Sequence, residues 1–115
     1  MESLELAHNL VETILDKKGH DILLLDLREQ SIFADYFLMC SAENERQLRA
    51  LASSIAEDAK KEAGIYARGY EGEPEGGWVL VDFGDVVVHI FSPEQRNYYR
   101  LEELWHDAHT VLRMD

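Results

Sequence analysis

The sequence predicts an α/β fold, a mixed sheet of about five strands with packed helices in the order α-β-β-α-β-β-β-α. Three observations carry it. Two segments, 3–17 and 43–64, repeat apolar residues every three to four positions, as a half-buried helix does. Five short runs rich in Val, Ile, Leu and aromatics are bounded by turn residues. Helices interleaved with strands, neither class grouped by itself, find their stable packing as layers on one sheet.

The first helix rests on Leu6, Leu10, Val11, Ile14 and Leu15. Ser3 is the expected N-cap, and Gly19 is expected to end the helix in the left-handed region. "HDILLLDL" (20–27) is a buried first strand, "REQSIFAD" turns the chain, and "YFLMCSA" (36–42) is the second strand. The next helix carries the stripe Leu48, Leu51, Ala52, Ile55 and Ala59, with Gly64 as its stop. "IYARGYEG" (65–72) is a third strand and "EGEPEGG" a loop. "WVLVDF" and "VVVHIF" are the fourth and fifth strands. "SPEQ" (92–95) is a capping box with Pro93 at the first helical position. Leu101, Leu104, Trp105, Ala108 and Leu112 then continue a helical stripe, in one helix or two.

The fourth and fifth strands read as a hairpin. A two-residue loop at Phe83-Gly84 sets Asp82 opposite Asp85 and Trp78 opposite His89. Alternation then gives one aliphatic face of Val79, Val81, Val86, Val88 and Ile90. The other face carries Trp78, Leu80, Asp82, Asp85, Val87, His89 and Phe91. Aromatic anchors in a polar rim are what protein interfaces favour, although a covering helix would make the same face a second core. Arg96 and Tyr98 follow directly and belong to residue types enriched at binding hot spots. Exposed Trp78 and Phe91 would also give a homodimer a surface.

The 115 residues, 46% of them hydrophobic and 30% charged, suit one domain over 1–115 that needs no metal or disulfide to fold. Cys40, the single cysteine, lies in an apolar run and reads as an inert buried thiol in a reducing compartment. No apolar stretch is long enough to span a membrane, and the acidic N-terminus has no basic leader, so a cytoplasmic location is expected. With 23 acidic and 11 basic residues the net charge is −12. Phosphate backbones attract Lys and Arg, so direct nucleic-acid binding is disfavoured and a basic protein partner is favoured.

The enzyme readings are weaker. Asp82 and Asp85, with Asp35 or Glu102, are a thin basis for a divalent metal. "GYEGEPEGG" lacks the Lys-Ser/Thr ending and following helix of a phosphate loop. His106 and His109 at helical spacing find no further ligands, and His89 has no hydroxyl nucleophile placed beside it.

The run "WVLVDFGDVVVHIF…R…Y.LEELW.DA" (78–108) resembles the ribosomal silencing factor family, also called Iojap-like proteins. "DYFLMCSAENERQLRALASSIA" (35–56) and "YEGEPEGGW" (70–78) resemble its other signatures, so the resemblance covers nearly the whole chain. It implies a nucleotidyltransferase-like α/β fold with no established transferase activity and a mechanism that needs no cofactor. It also implies binding to the large ribosomal subunit through that subunit's fourteenth ribosomal protein. Subunit joining would be blocked and translation lowered when nutrients are scarce, while organelle members are linked to ribosome assembly. The binding surface it implies includes Trp78, Leu80 and Asp82, with His89, Phe91, Arg96 and Tyr98 as additions.

Overall fold

A six-stranded sheet in the order β3-β4-β5-β2-β1-β6 organises the computed structural model, which describes residues 2–115. The elements in chain order are α1 (Ser3–Asp16), β1 (His20–Asp26), β2 (Tyr36–Ser41), α2 (Glu45–Ala63) and β3 (Gly69–Glu73). A 3-10 turn (Pro74–Gly76) leads into β4 (Trp78–Asp82), β5 (Val86–Phe91), α3 (Pro93–Tyr99), the short α4 (Leu101–Leu104) and β6 (His109–Met114). Only β2 and β5 pair in parallel, and the other neighbours are antiparallel.

Helices α1 and α2 lie together on one face. Leu6, Leu10, Ile14, Leu48, Leu51 and Ile55 close against Leu24, Leu38, Val81, Val88 and Ile90 to make the larger core. Polar links fix the two helices to each other. Thr13 Oγ1 donates to Asp58 Oδ2 at 2.9 Å, and Gln47 Nε2 donates to the last carbonyls of the α1 end, at Lys17 and Lys18. The Asn44 side chain caps α2 by accepting from the Gln47 amide, and Gly64 ends it at φ 66°, as the sequence predicts.

Several expectations are corrected. Ser3 is not the cap of α1: Glu2 holds that position, and Ser3 Oγ donates to Asp85 Oδ2 at 3.0 Å. The left-handed residue after α1 is Lys18 (φ 65°), not Gly19. Gly19 serves close packing, because an added Cβ would stand 2.5 Å from Ile14 Cγ2. The third strand begins only at Gly69, since Ile65 and Ala67 turn their side chains onto the larger core before pairing starts.

The sequence's last helical stripe is broken twice. Arg100 takes φ 49°, which separates α3 from α4, and residues 109–114 form a sixth strand antiparallel to β1. That run contains Thr110 and Val111, whose branched side chains suit a pleated surface. Pairing on the open edge of β1 outweighs a weak helical period.

The hairpin register differs by two residues from the predicted one. Asp82 pairs with Val87 and Trp78 with Phe91, and the Phe83 amide donates to the Val86 carbonyl. The turn is therefore Gly84-Asp85, with Gly84 at φ 92° in the first central position, where a tight hairpin turn favours glycine. Phe83 leaves the turn and packs into the larger core. A slip of two preserves the faces, whereas a slip of one would have exchanged them.

Candidate functional site

The second face of the sheet is half covered. Leu23, Leu25, Leu27, Met39 and Phe91 form a smaller core beneath Leu101, Trp105 and Ala108 of the α4 region. Beyond that cover, β4 stands next to the edge strand and leaves Trp78, Leu80 and Asp82 partly exposed. A shallow cleft of about 240 Å³ lies between Trp78, Leu80, Glu71 and Gly72.

Trp78 is held on three sides. Its ring stacks on Phe91 with centroids 5.0 Å apart, Tyr99 of α3 lies 4.4 Å away, and its indole N–H donates to His89 Nδ1 at 3.2 Å. Because Nδ1 accepts, the neutral His89 ring carries its proton on Nε2. That Nε2 is buried without a hydrogen-bond partner among the described residues. His89 is 3% exposed, and burial pushes its pKa down to about 4, so it is neutral near pH 7. Phe37 packs on the His89 ring at 4.6 Å and meets Trp105 edge-on at 5.8 Å. The result is one aromatic layer from β2 to α3, with Trp78 at its open margin.

The predicted site residues divide by depth. Trp78, Leu80 and Asp82 reach the surface, and Tyr98 is 76% exposed. Phe91 is fully buried, because central strand β5 places it between Ser41 and Trp78 and under the latter's ring. It presents no surface to a partner or a second copy. Arg96 is also buried: its Nη1 donates to the Asp21 carbonyl (2.8 Å) and to Ser41 Oγ (3.1 Å), and its Nε pairs with Glu102 (3.0 Å). It pins α3 to the ends of β1 and β2 instead of facing solvent. His89 acts through Trp78. Trp78 is thus positioned by buried Phe91 and His89 and by the half-exposed Tyr99.

The acids at the turn have local partners. Asp82 Oδ1 accepts from the Gly84 amide at 2.7 Å, and Asp85 accepts from Ser3. His106 and His109 do not share a helix face, since α4 ends at Leu104 and His109 opens β6. Burial raises the Cys40 pKa to about 12, which keeps the thiol protonated and unreactive. A cleft of about 620 Å³ lies between Asp26, Arg28, Glu29, Gln30, Asp107 and His109. Its one arginine is spent on Asp26, which accepts from Arg28 Nε and Nη2, the latter at 2.7 Å. Sequence reasoning passed over Ile32 and Phe33, in the loop between β1 and β2, which are 94% and 88% exposed. Two large apolar residues inside a polar turn segment were the available signal.

Comparison with known proteins decides the family. The model of "Ribosomal silencing factor during starvation" matches residues 1–115. The chain belongs to the ribosomal silencing factor family. It is 50% identical to the ribosomal silencing factor of Bacillus subtilis over 81% of this chain and 78% of that protein. It superposes on the crystal structure of a Chromobacterium violaceum protein, CV0518, with a TM-score of 0.87 and 40% identity, covering 92% of this chain and 88% of the other. A mouse protein named for mitochondrial assembly of the ribosomal large subunit is 30% identical over 84% of this chain and 43% of its own length. The family and the mixed α/β class stand as expected, with six strands in place of five. No described helix is long and apolar enough to cross a membrane.

Proposed function

We propose that this silencing factor docks on the large ribosomal subunit through its fourteenth ribosomal protein and sterically blocks joining of the small subunit, lowering translation when nutrients are limiting. The observation that carries the reading is the Trp78 margin: a large aromatic ring, partly exposed, already fixed by Phe91, Tyr99 and His89. A pre-set anchor gives up little freedom on binding. Glu71 and Glu73 on β3 lie beside Leu80 and Trp78 in the register, and the whole chain carries −12, so the surface suits a basic protein. Family membership supports a ribosomal partner. The action is non-enzymatic, needs no cofactor and takes place in the cytoplasm. A role in large-subunit assembly through the same surface is the second reading, favoured by the printed name of the mouse relative.

The test is co-sedimentation with purified large subunits. Trp78→Ala is expected to weaken binding by more than ~1 kcal/mol, the hot-spot scale. Since that variant also strips contacts from Phe91 and Tyr99, Leu80→Lys is the companion: it sets a cation against a basic partner and leaves the aromatic layer intact. Undiminished binding by both folded variants would remove the Trp78 face from the account.

A further inference from the structure

We infer that the Ile32–Phe33 loop is a second anchor of the docking surface, inserting its apolar tip into a pocket with a basic rim on the same large-subunit protein partner; this rests on the large-subunit reading above. The loop is built to hold its tip outward. Its ends are joined, with the Leu27 amide donating to the Asp35 carbonyl at 2.8 Å. Leu27 is fully buried, and its carbonyl accepts from the amides of Gln30 (3.0 Å) and Ser31 (2.8 Å). Ser31 Oγ then accepts from the Phe33 amide at 3.1 Å. Arg28 is tied to Asp26, and Gln30 Nε2 approaches the Asp107 carbonyl at 3.5 Å. On this ordered frame the two side chains stand almost wholly in water, 94% and 88% exposed. Single exposed apolar residues are ordinary, but an adjacent pair on a pinned loop keeps a contact area ready at little entropic cost.

Position joins this loop to the candidate face. The amides of Asp35 and Tyr36 both donate to the Asp85 carbonyl, at 2.8 and 3.0 Å, so the loop abuts the β4–β5 turn. Asp82, at the far end of the Trp78 strand, lies three residues before that carbonyl, and its carboxylate accepts from the Gly84 amide in the turn. The two anchors therefore bracket β4, Trp78 at its start and the loop beyond its end.

Charge selects the occupant. Glu29 and Asp35 flank the tip in sequence, Asp107 stands by its base, and the cation nearest in sequence, Arg28, is paired with Asp26. Such a rim repels phosphates, which disfavours bare RNA and anionic lipid, and it favours a basic protein.

The experiment compares the intact chain with Ile32→Ser/Phe33→Ser for binding to purified large subunits. Melting and circular dichroism report the fold, and sedimentation of the protein alone reports self-association. Both side chains lie in solvent, so the fold is expected to be unchanged; Phe33→Ser alone serves if the double variant does not fold. The expected result is binding about tenfold weaker or more, a hot-spot loss. Equal binding by intact chain and variant overturns the proposal. So does a variant that loses only self-association, since the loop's partner would then be a second copy. If the intact chain itself fails to bind large subunits, the reading under Proposed function falls first, and this inference falls with it.

Discussion

His89 and Trp78 act as one unit through a single proton. The indole N–H needs an acceptor, and His89 Nδ1 supplies it only while unprotonated. The folded chain depresses the His89 pKa from 6.5 to about 4 by burial. A depressed pKa means the unfolded state takes up the proton first. Stability from this group is complete above about pH 6.5, falls as pH drops, and is lost by about pH 4, a contribution of up to ~3 kcal/mol. Denaturant unfolding at several pH values should therefore show a steeper acid loss in the intact chain than in His89→Leu. Identical slopes would remove this coupling. Which residues share the mixed face was legible in the alternation of the hairpin. Which of them reach solvent was not: Phe91 is covered by Trp78 and the α4 region, and Arg96 is drawn inward where α3 meets the ends of β1 and β2, neither of which local spacing shows.

At the scale of elements, β3 and β4 show why the Glu-Gly loop before the tryptophan has its sequence. Gly72 sits at φ 82°, and a Cβ added there would lie 2.1 Å from the Trp78 carbonyl oxygen. Two backbones meet where a side chain would stand. Gly72→Ala combines a strained backbone with an overlap against main chain and should cost about 2–4 kcal/mol. Thermal or denaturant unfolding measures it, and a loss under 1 kcal/mol would contradict the close approach. The hairpin teaches a related lesson. The aliphatic and mixed faces were readable because the period of a strand is two, but the register was not, because Phe83 looked like a turn residue and is a core residue. The sixth strand escaped for a different reason. Leu101, Trp105 and Ala108 do gather on one side, onto the smaller core, yet they do so from a four-residue helix and the turn after it. Local spacing does not reveal that β1 offers an open edge to residues 109–114.

For the whole molecule, the layering decides the kind of partner. Helices α1 and α2 close one face, while α3 and α4 close half of the other. What remains is a strip along β4 with aromatic anchoring and acidic surroundings. The class of fold and the acidity were plain from the sequence, and both support the proposed reading of a small acidic body that acts by where it sits. The most direct measurement is a joining assay on a sucrose gradient. Purified large and small subunits are mixed under conditions that favour joining, with the protein added in rising ratio to large subunits. The account predicts that joined ribosomes decline as the protein approaches one per large subunit, that the protein travels with free large subunits, and that Trp78→Ala shifts the decline to higher ratios. Undiminished joining with the protein bound to the large subunit, or binding to the small subunit instead, would contradict it.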